Sequence, residues 1–178
     1  MKDRVEELQQ TLQALEQARQ RWKTVTHDFI LAELESWVVQ YGKDLDLIVE
    51  VNDAIIGHET ITLAFRNVPT GLTFNDDHPI NQQEGKSGNL IKYGATLNFS
   101  FVYLGDVITW MTYPYIRDIL ENTEEFIDIA RSKPETVTAE TIHSSIDHFL
   151  AEVNAWHAGK LGKQQRIGFT TSSTDGTA

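Results

Sequence analysis

Apolar positions near the start of the chain recur in alternating steps of three and four: Val5, Leu8, Leu12 and Leu15. The series continues through Arg19 and Trp22 to Thr26 and Phe29. That is a heptad-like seam, weakened where Arg19 and Thr26 occupy seam positions. From Ile30 the apolar face broadens to Ile30, Leu34, Trp37, Val38 and Tyr41, wide enough to pack on a globular core. The pattern predicts one long helix over residues 2–41, ended by Gly42. Its first half should project or pair, and its second half should dock.

The periodicity then changes from helical to alternating. Leu45, Leu47, Val49 and Val51 alternate with Asp46, Glu50 and Asn52, and Ile61, Leu63 and Phe65 alternate with Thr60, Thr62 and Arg66. Each run predicts a half-buried strand. A third strand is expected from Leu90 to Leu104, with Ile91, Tyr93, Ala95, Leu97, Phe99, Phe101 and Tyr103 on one face. Gly94 within it marks a bulge or bend. A two-residue Gly105-Asp106 loop is expected to return the chain into Val107–Tyr113. That register sets Tyr103 opposite Ile108, Phe101 opposite Trp110 and Phe99 opposite Thr112.

Pro114 suits the first turn of a helix over 114–131, whose buried stripe would be Ile116, Ile119, Leu120, Thr123, Ile127 and Ala130. Pro134 breaks the chain, and Thr138 is placed to cap a last helix running to about Ala158. Val137 and Ile142 flank that cap as a hydrophobic staple, and Ile142, Ile146, Phe149, Val153 and Trp156 form the core side. The expected fold class is therefore α+β: a long N-terminal helix, a four-stranded antiparallel sheet and two C-terminal helices packed on the sheet. By segment, 1–41 is the helix with its heptad-like first half, 42–158 a single α+β domain, and 159–178 a polar tail with the composition of a flexible linker. No internal repeat or second domain is expected.

Composition narrows the function classes more than it names one. With 178 residues, 40% of them hydrophobic, and four tryptophans, the chain is suited to one sizeable core. The net charge of −11 repels phosphate backbones, so no nucleic-acid partner is expected, whereas a basic protein partner would suit it. The absence of cysteine excludes disulfides, thiolate metal sites and cysteine nucleophiles. The opening MKDRVEELQQ has no apolar h-region and no run reaches membrane-spanning length, so a cytoplasmic protein without a membrane partner is expected.

Chemical motifs are few. Glu84-Gly85-Lys86-Ser87-Gly88 contains the Gly-Lys-Ser string of a phosphate-binding loop, but Ile80 stands where the first glycine of that loop belongs. Asp76, Asp77 and His78 crowd the loop over 75–89, yet adjacent residues point in different directions and supply too few convergent ligands for a metal. His143, His148 and His157 lie on the last helix with Asp147, and no two histidines stand four apart. No Gly-x-Ser-x-Gly elbow is present. No metal, cofactor or catalytic residue is expected.

These features favour a noncatalytic protein-interaction module, an adaptor, immunity-type or assembly subunit acting through its N-terminal helix and acidic surface. The expected partner-binding residues are Val5, Leu8, Leu12, Leu15 and Trp22 on the first helix. Glu121, Glu124, Glu125 and Asp128 add an acidic face on the 114–131 helix. The partner is another protein, basic in one option and a second copy of the chain in the other. An alternative is a small-molecule-binding domain whose pocket is lined by Tyr93, Phe99, Phe101, Tyr103 and Trp110. A metal-dependent hydrolase built around Asp76, Asp77 and His78 is the second alternative.

Overall fold

The structure, a computed structural model, describes residues 2–53, 59–73, 89–116 and 127–159. It opens with helix α1 (Lys2–Arg21), which runs through a π-helical turn (Trp22–Thr26) into α2 (His27–Trp37). A second π-helical stretch (Val38–Gly42) and a 3₁₀ turn (Lys43–Leu45) complete the rod. Ala18, Trp22, Thr26, Ile30 and Leu34 are all buried and all four residues apart. In a regular α-helix each such step overshoots a full turn by roughly 40°, so the row would wind around the rod. The wide π turn at Trp22–Thr26 offsets part of that overshoot within the row.

Thr26, expected to weaken the seam, instead fastens it: its buried hydroxyl donates to the carbonyl of Pro134 at 2.9 Å. The rod ends at Asp46, whose φ of 53° is tolerated by aspartate better than by most residues. Arg66 holds that residue, its backbone N–H donating to the Asp46 carbonyl at 3.2 Å and its Nε reaching the carboxylate at 3.0 Å.

The strands are β1 (Leu47–Asn52), β2 (Thr60–Phe65), β3 (Val68–Thr73), β4 (Asn89–Tyr93), β5 (Thr96–Phe101), β6 (Val107–Thr112), β7 (Tyr115–Ile116) and β8 (Ile127–Ser132). They form a five-stranded sheet in the order β1-β2-β5-β6-β8 and a three-stranded sheet in the order β3-β4-β7. All pairings are antiparallel. The mixed α+β class is thus as the sequence indicates, but the four-strand count is not.

The predicted third strand is two strands, broken at Gly94-Ala95. There the backbones of adjacent strands nearly touch: a Cβ on Gly94 would lie 2.0 Å from the Phe65 carbonyl oxygen. Similar breaks at Arg66-Asn67 and Tyr113-Pro114 let β2, β5 and β6 continue into β3, β4 and β7, so the chain turns a corner from one sheet to the other.

The hairpin register also differs from the expected one. Gly105 donates to Val102 at 2.8 Å and Val102 to Asp106 at 2.9 Å, with Gly105 at φ +79°. This is a three-residue loop, Tyr103-Leu104-Gly105, ending in a left-handed glycine. Phe101 therefore faces Val107, Phe99 faces Thr109 and Leu97 faces Met111. The slip of three residues is odd, so it turns Trp110 to the opposite side of the sheet.

The expected helix over 114–131 is replaced, in its described part, by β7 and β8. Ile127 and Ile129 alternate with Asp128 and Ala130, a period of two that suits β-branched residues at the edge of β6. One C-terminal helix, α3 (Ala139–His157), remains of the two expected. Thr138 caps it as foreseen: its Oγ1 accepts from the Thr141 backbone N–H at 3.3 Å while Thr141 Oγ1 accepts from the Thr138 N–H at 3.0 Å.

The core lies between one face of the five-stranded sheet and the helices. Ile61, Leu63, Leu97, Phe99, Phe101, Val107 and Met111 meet Trp22, Ile30 and Leu34 of the rod and Ile142, Ile146, Phe149 and Val153 of α3. The other face carries a polar row across β2, β5 and β6. Thr60 pairs with Ser100 at 2.9 Å, Thr62 donates to Asn98 at 2.8 Å, and Thr96 pairs with Thr112 at 2.8 Å. Asn98 donates to Thr96 at 2.8 Å, and the Trp110 indole donates to Ser100 at 2.9 Å. These side chains are spent on holding register, which explains how Asn98 and Ser100 are buried without penalty.

Candidate interaction surface

Among the described residues, the first half of α1 stands clear of the rest of the fold. Every residue from Asp3 to Ala14 is exposed, including Val5 at 53%, Leu8 at 59% and Leu12 at 57%. Steps of three and four place these three side chains and Leu15 on one stripe. Among the described residues, the helix becomes half-buried against the fold at Leu15 and buried at Ala18. There the backbone of the hairpin tip packs close, and a Cβ on Gly105 would lie 3.1 Å from Leu15 Cδ2 and 3.2 Å from Ala18 Cβ. The two residues at the tip, Tyr103 and Leu104, are themselves exposed.

A groove of about 740 Å³ runs beside this contact, lined by residues of α1 from Thr11 to Arg21 and by Leu104, Lys133 and Glu135. Its cationic rim is Arg21 and Lys133, the latter ion-paired with Asp106. Leu15 belongs to both the stripe and the groove, and the exposed Leu104 of the hairpin tip lines the groove's other side.

Trp22 and Asp128 are not brought to this surface. Trp22 lies in the core at 1% exposure, stacked on Phe101 with ring centroids 5.3 Å apart and donating its Nε1 proton to Glu59 at 2.6 Å. It anchors α1, and the free stripe stops before it. Asp128 is exposed on β8, opposite Trp110, and not on a helix. Glu121, Glu124 and Glu125 lie outside the described residues, as do Asp76, Asp77, His78 and the Gly-Lys-Ser string.

The five aromatic residues proposed for a pocket are dispersed. Phe99 and Phe101 are solid core, Tyr93 stacks on Tyr115 in the smaller sheet at 4.7 Å, Tyr103 caps the hairpin, and Trp110 sits on the opposite face. The strand break at Gly94 and the slipped hairpin register divide them between two sheets and two faces.

Two smaller depressions involve residues that spacing alone did not join. A cleft of about 400 Å³ between α2 and α3 is lined by Glu33, Ser36, Trp37, Gln40, Tyr41, His143, Ile146, Asp147 and Leu150. Across it His143 Nε2 stands 3.3 Å from Glu33 Oε2, and Trp37 and Tyr41 lie with rings 5.6 Å apart. Trp37 with Tyr41 and His143 with Asp147 are each four apart, so each pair shares a helix face. Nothing in the sequence says that the two faces meet.

The second depression, about 190 Å³, sits at the corner between the sheets and includes Asp46, Arg66, Lys92 and His157. Burial, and then the positive charge of Lys92, hold the His157 imidazole below the ordinary histidine value. Among the described residues no group of three or more His, Asp or Glu side chains is placed to hold a metal ion. No described helix is long and apolar enough to cross a membrane.

The chain matches no protein-family model, no curated protein and no solved structure.

Proposed function

We propose that the protein is a noncatalytic interaction module that docks a protein partner along the first half of α1. One observation carries this reading: a helical segment from Asp3 to Ala14 with a regular apolar stripe that none of the described residues covers. A free-standing helix of about a dozen residues is marginal in water, since packing of an apolar face supplies most helical stability in proteins. The stripe is therefore incomplete as it stands. The chain's acidic balance keeps it soluble while such a surface is open.

The double variant Leu8→Asp with Leu12→Asp tests this. Both positions are exposed, so the thermal midpoint of the globular part should stay within a few degrees of wild type. Affinity purification from the native host, with a differently tagged second copy co-expressed, should recover the partner with wild type and lose it with the variant. Recovery of the same partner by both proteins, or of none by wild type, would remove α1 as the docking element.

The α2/α3 cleft supports a second reading, a small-molecule site. Its volume of about 400 Å³ falls within the range of ligand pockets, and it combines two aromatic rings with Glu33, His143 and Asp147. Ligand-observed NMR against a library of small polar and cationic compounds should give hits that Trp37→Ala abolishes. Hits unaffected by that change would dismiss the cleft.

A further inference from the structure

Resting on the reading of the α2/α3 cleft as a ligand site, we infer that its ligand is an organic cation, a guanidinium group on a short methylene stem. Charge decides the sign. Among the described residues, the cleft is lined by two carboxylates, Glu33 on α2 and Asp147 on α3, and by no lysine or arginine. The one ion-pair partner that either carboxylate finds among these residues is the His143 imidazole, 3.3 Å from Glu33. An imidazole is charged only when protonated, so it offsets a carboxylate less than a permanent cation does. An anionic ligand would be repelled by this lining, and the chain's net charge of −11 opposes it further.

The aromatic side of the cleft narrows the class to a cation with an apolar body. Trp37 and Tyr41 stand with ring centroids 5.6 Å apart and planes tilted by 47°. Tyr41 is 56% exposed, so a group entering the cleft can reach its ring. Cations are held over such faces by the ring quadrupole. Ile146, which is buried, and the half-buried Leu150 add apolar lining from α3, against which methylene groups can pack.

A guanidinium uses these features together. It is planar and stacks on an aromatic ring while the N–H groups along its edge reach carboxylates. It carries more donors than an ammonium, and the lining supplies matching acceptors. Besides the two carboxylates there is the Ser36 hydroxyl and the Gln40 carbonyl, whose amide N–H is already donated to the Tyr41 hydroxyl at 2.6 Å. A guanidinium is also more weakly hydrated than an ammonium, which lowers the cost of leaving water for a half-open cleft.

Butylguanidinium and the neutral isostere butylurea are titrated into the ¹⁵N-labelled full-length protein. The chain has four tryptophans, and each gives one indole N–H resonance. The Trp37 resonance should move with butylguanidinium and stay in place with butylurea at the same concentration. Trp22 lies in the core, so its resonance should not move, and it reports whether each variant is folded. Glu33→Gln and Asp147→Asn should each weaken binding about threefold to tenfold. His143→Lys sets a permanent cation beside Glu33 on a half-exposed position and should weaken binding similarly.

A capped arginine-containing tripeptide separates the two sources of this chemistry. Tighter binding of the tripeptide than of butylguanidinium assigns the site to an arginine side chain of a basic partner, and the reverse order assigns it to a free small molecule. Equal response to butylguanidinium and butylurea, or binding unchanged in both carboxylate variants, would overturn the cation assignment. If a neutral or anionic compound moves Trp37 where butylguanidinium does not, the cleft remains a ligand site and this inference alone falls. If no compound moves Trp37, both fall.

Discussion

Trp22→Ala should lower the unfolding free energy by about 4 kcal/mol, near the upper end for loss of a large buried side chain. The indole is nine ring atoms of nearly complete burial at the junction of three elements. It stacks on Phe101 at an interplanar angle of 15° and meets the His27 ring edge-on at 5.6 Å. Its removal opens a cavity that the π turn, hydrogen-bonded on both sides into α1 and α2, has little freedom to close. It also strips Glu59 of the donor that holds its carboxylate at 2.6 Å, leaving a half-buried acid with less compensation.

The two contributions can be separated. Trp22→Phe keeps one six-membered ring at the contact but loses the N–H together with three ring atoms, so it should cost less than Trp22→Ala, about 2 kcal/mol. Phe101→Ala should cost about 3–5 kcal/mol, and the double change with Trp22→Ala should cost less than the sum, because the two rings share one contact. Urea titrations of the four proteins measure all of this. A loss below about 2 kcal/mol for Trp22→Ala would mean that α1 is not anchored at this point, and that the stripe ahead of it is held some other way.

Much of the architecture is legible in the sequence wherever one period persists over many residues. The rod is readable from Val5 to Tyr41 because the i, i+3, i+4 pattern is sustained, and α3 because Thr138 and Pro134 mark its start. The rod's π turns are not readable in advance, since a row of residues spaced by four can equally signal a drifting α-helical stripe. β1 and β2 are clear from alternation. What fails is pairing. The Gly105-Asp106 pair looks like a two-residue turn, but the left-handed glycine closes a loop starting at Tyr103, and that difference reverses a face. Residues 127–131 fit the expected 114–131 helix on the spacing of Ile127 and Ala130, although Ile127 and Ile129 alternate as a strand does.

The interaction surface divides in the same way. The stripe of Val5, Leu8, Leu12 and Leu15 is a local pattern, and local patterns survive translation into structure. The reassignment of Trp22 from seam to core, and the addition of Tyr103 and Leu104 to the exposed surface, depend on where a hairpin seventy or more residues away comes to rest. Sequence periodicity holds no information about that contact. The same limit hid the α2/α3 cleft, whose residues come from segments separated by the whole sheet.

The corner at Gly94 gives the second large effect: Gly94→Ala should cost about 3 kcal/mol or more, or prevent folding. The obstacle is backbone. An added methyl would stand 2.0 Å from the Phe65 carbonyl oxygen and 2.6 Å from its carbon, so two strands must part by about an ångström to admit it. Two hydrogen bonds cross that gap, from the Phe65 N–H to the Ala95 carbonyl at 3.0 Å and from the Gly94 N–H to Asn67 Oδ1 at 3.1 Å, and beside them the Phe65 ring leans on Phe149 of α3 at 5.8 Å. Parting the strands weakens all three together, whereas a flexible side chain in the way could simply have turned aside. Gly159→Ala is the control. That glycine has φ +66° and no atom within 4 Å of an added Cβ, so its substitution carries only the left-handed backbone penalty of about 1–2 kcal/mol. If Gly94→Ala unfolds at the same urea concentration as Gly159→Ala or higher, the two sheets are not joined by the close approach at Phe65, and the corner must be held by the Asn67 bond and the proline at 114 instead.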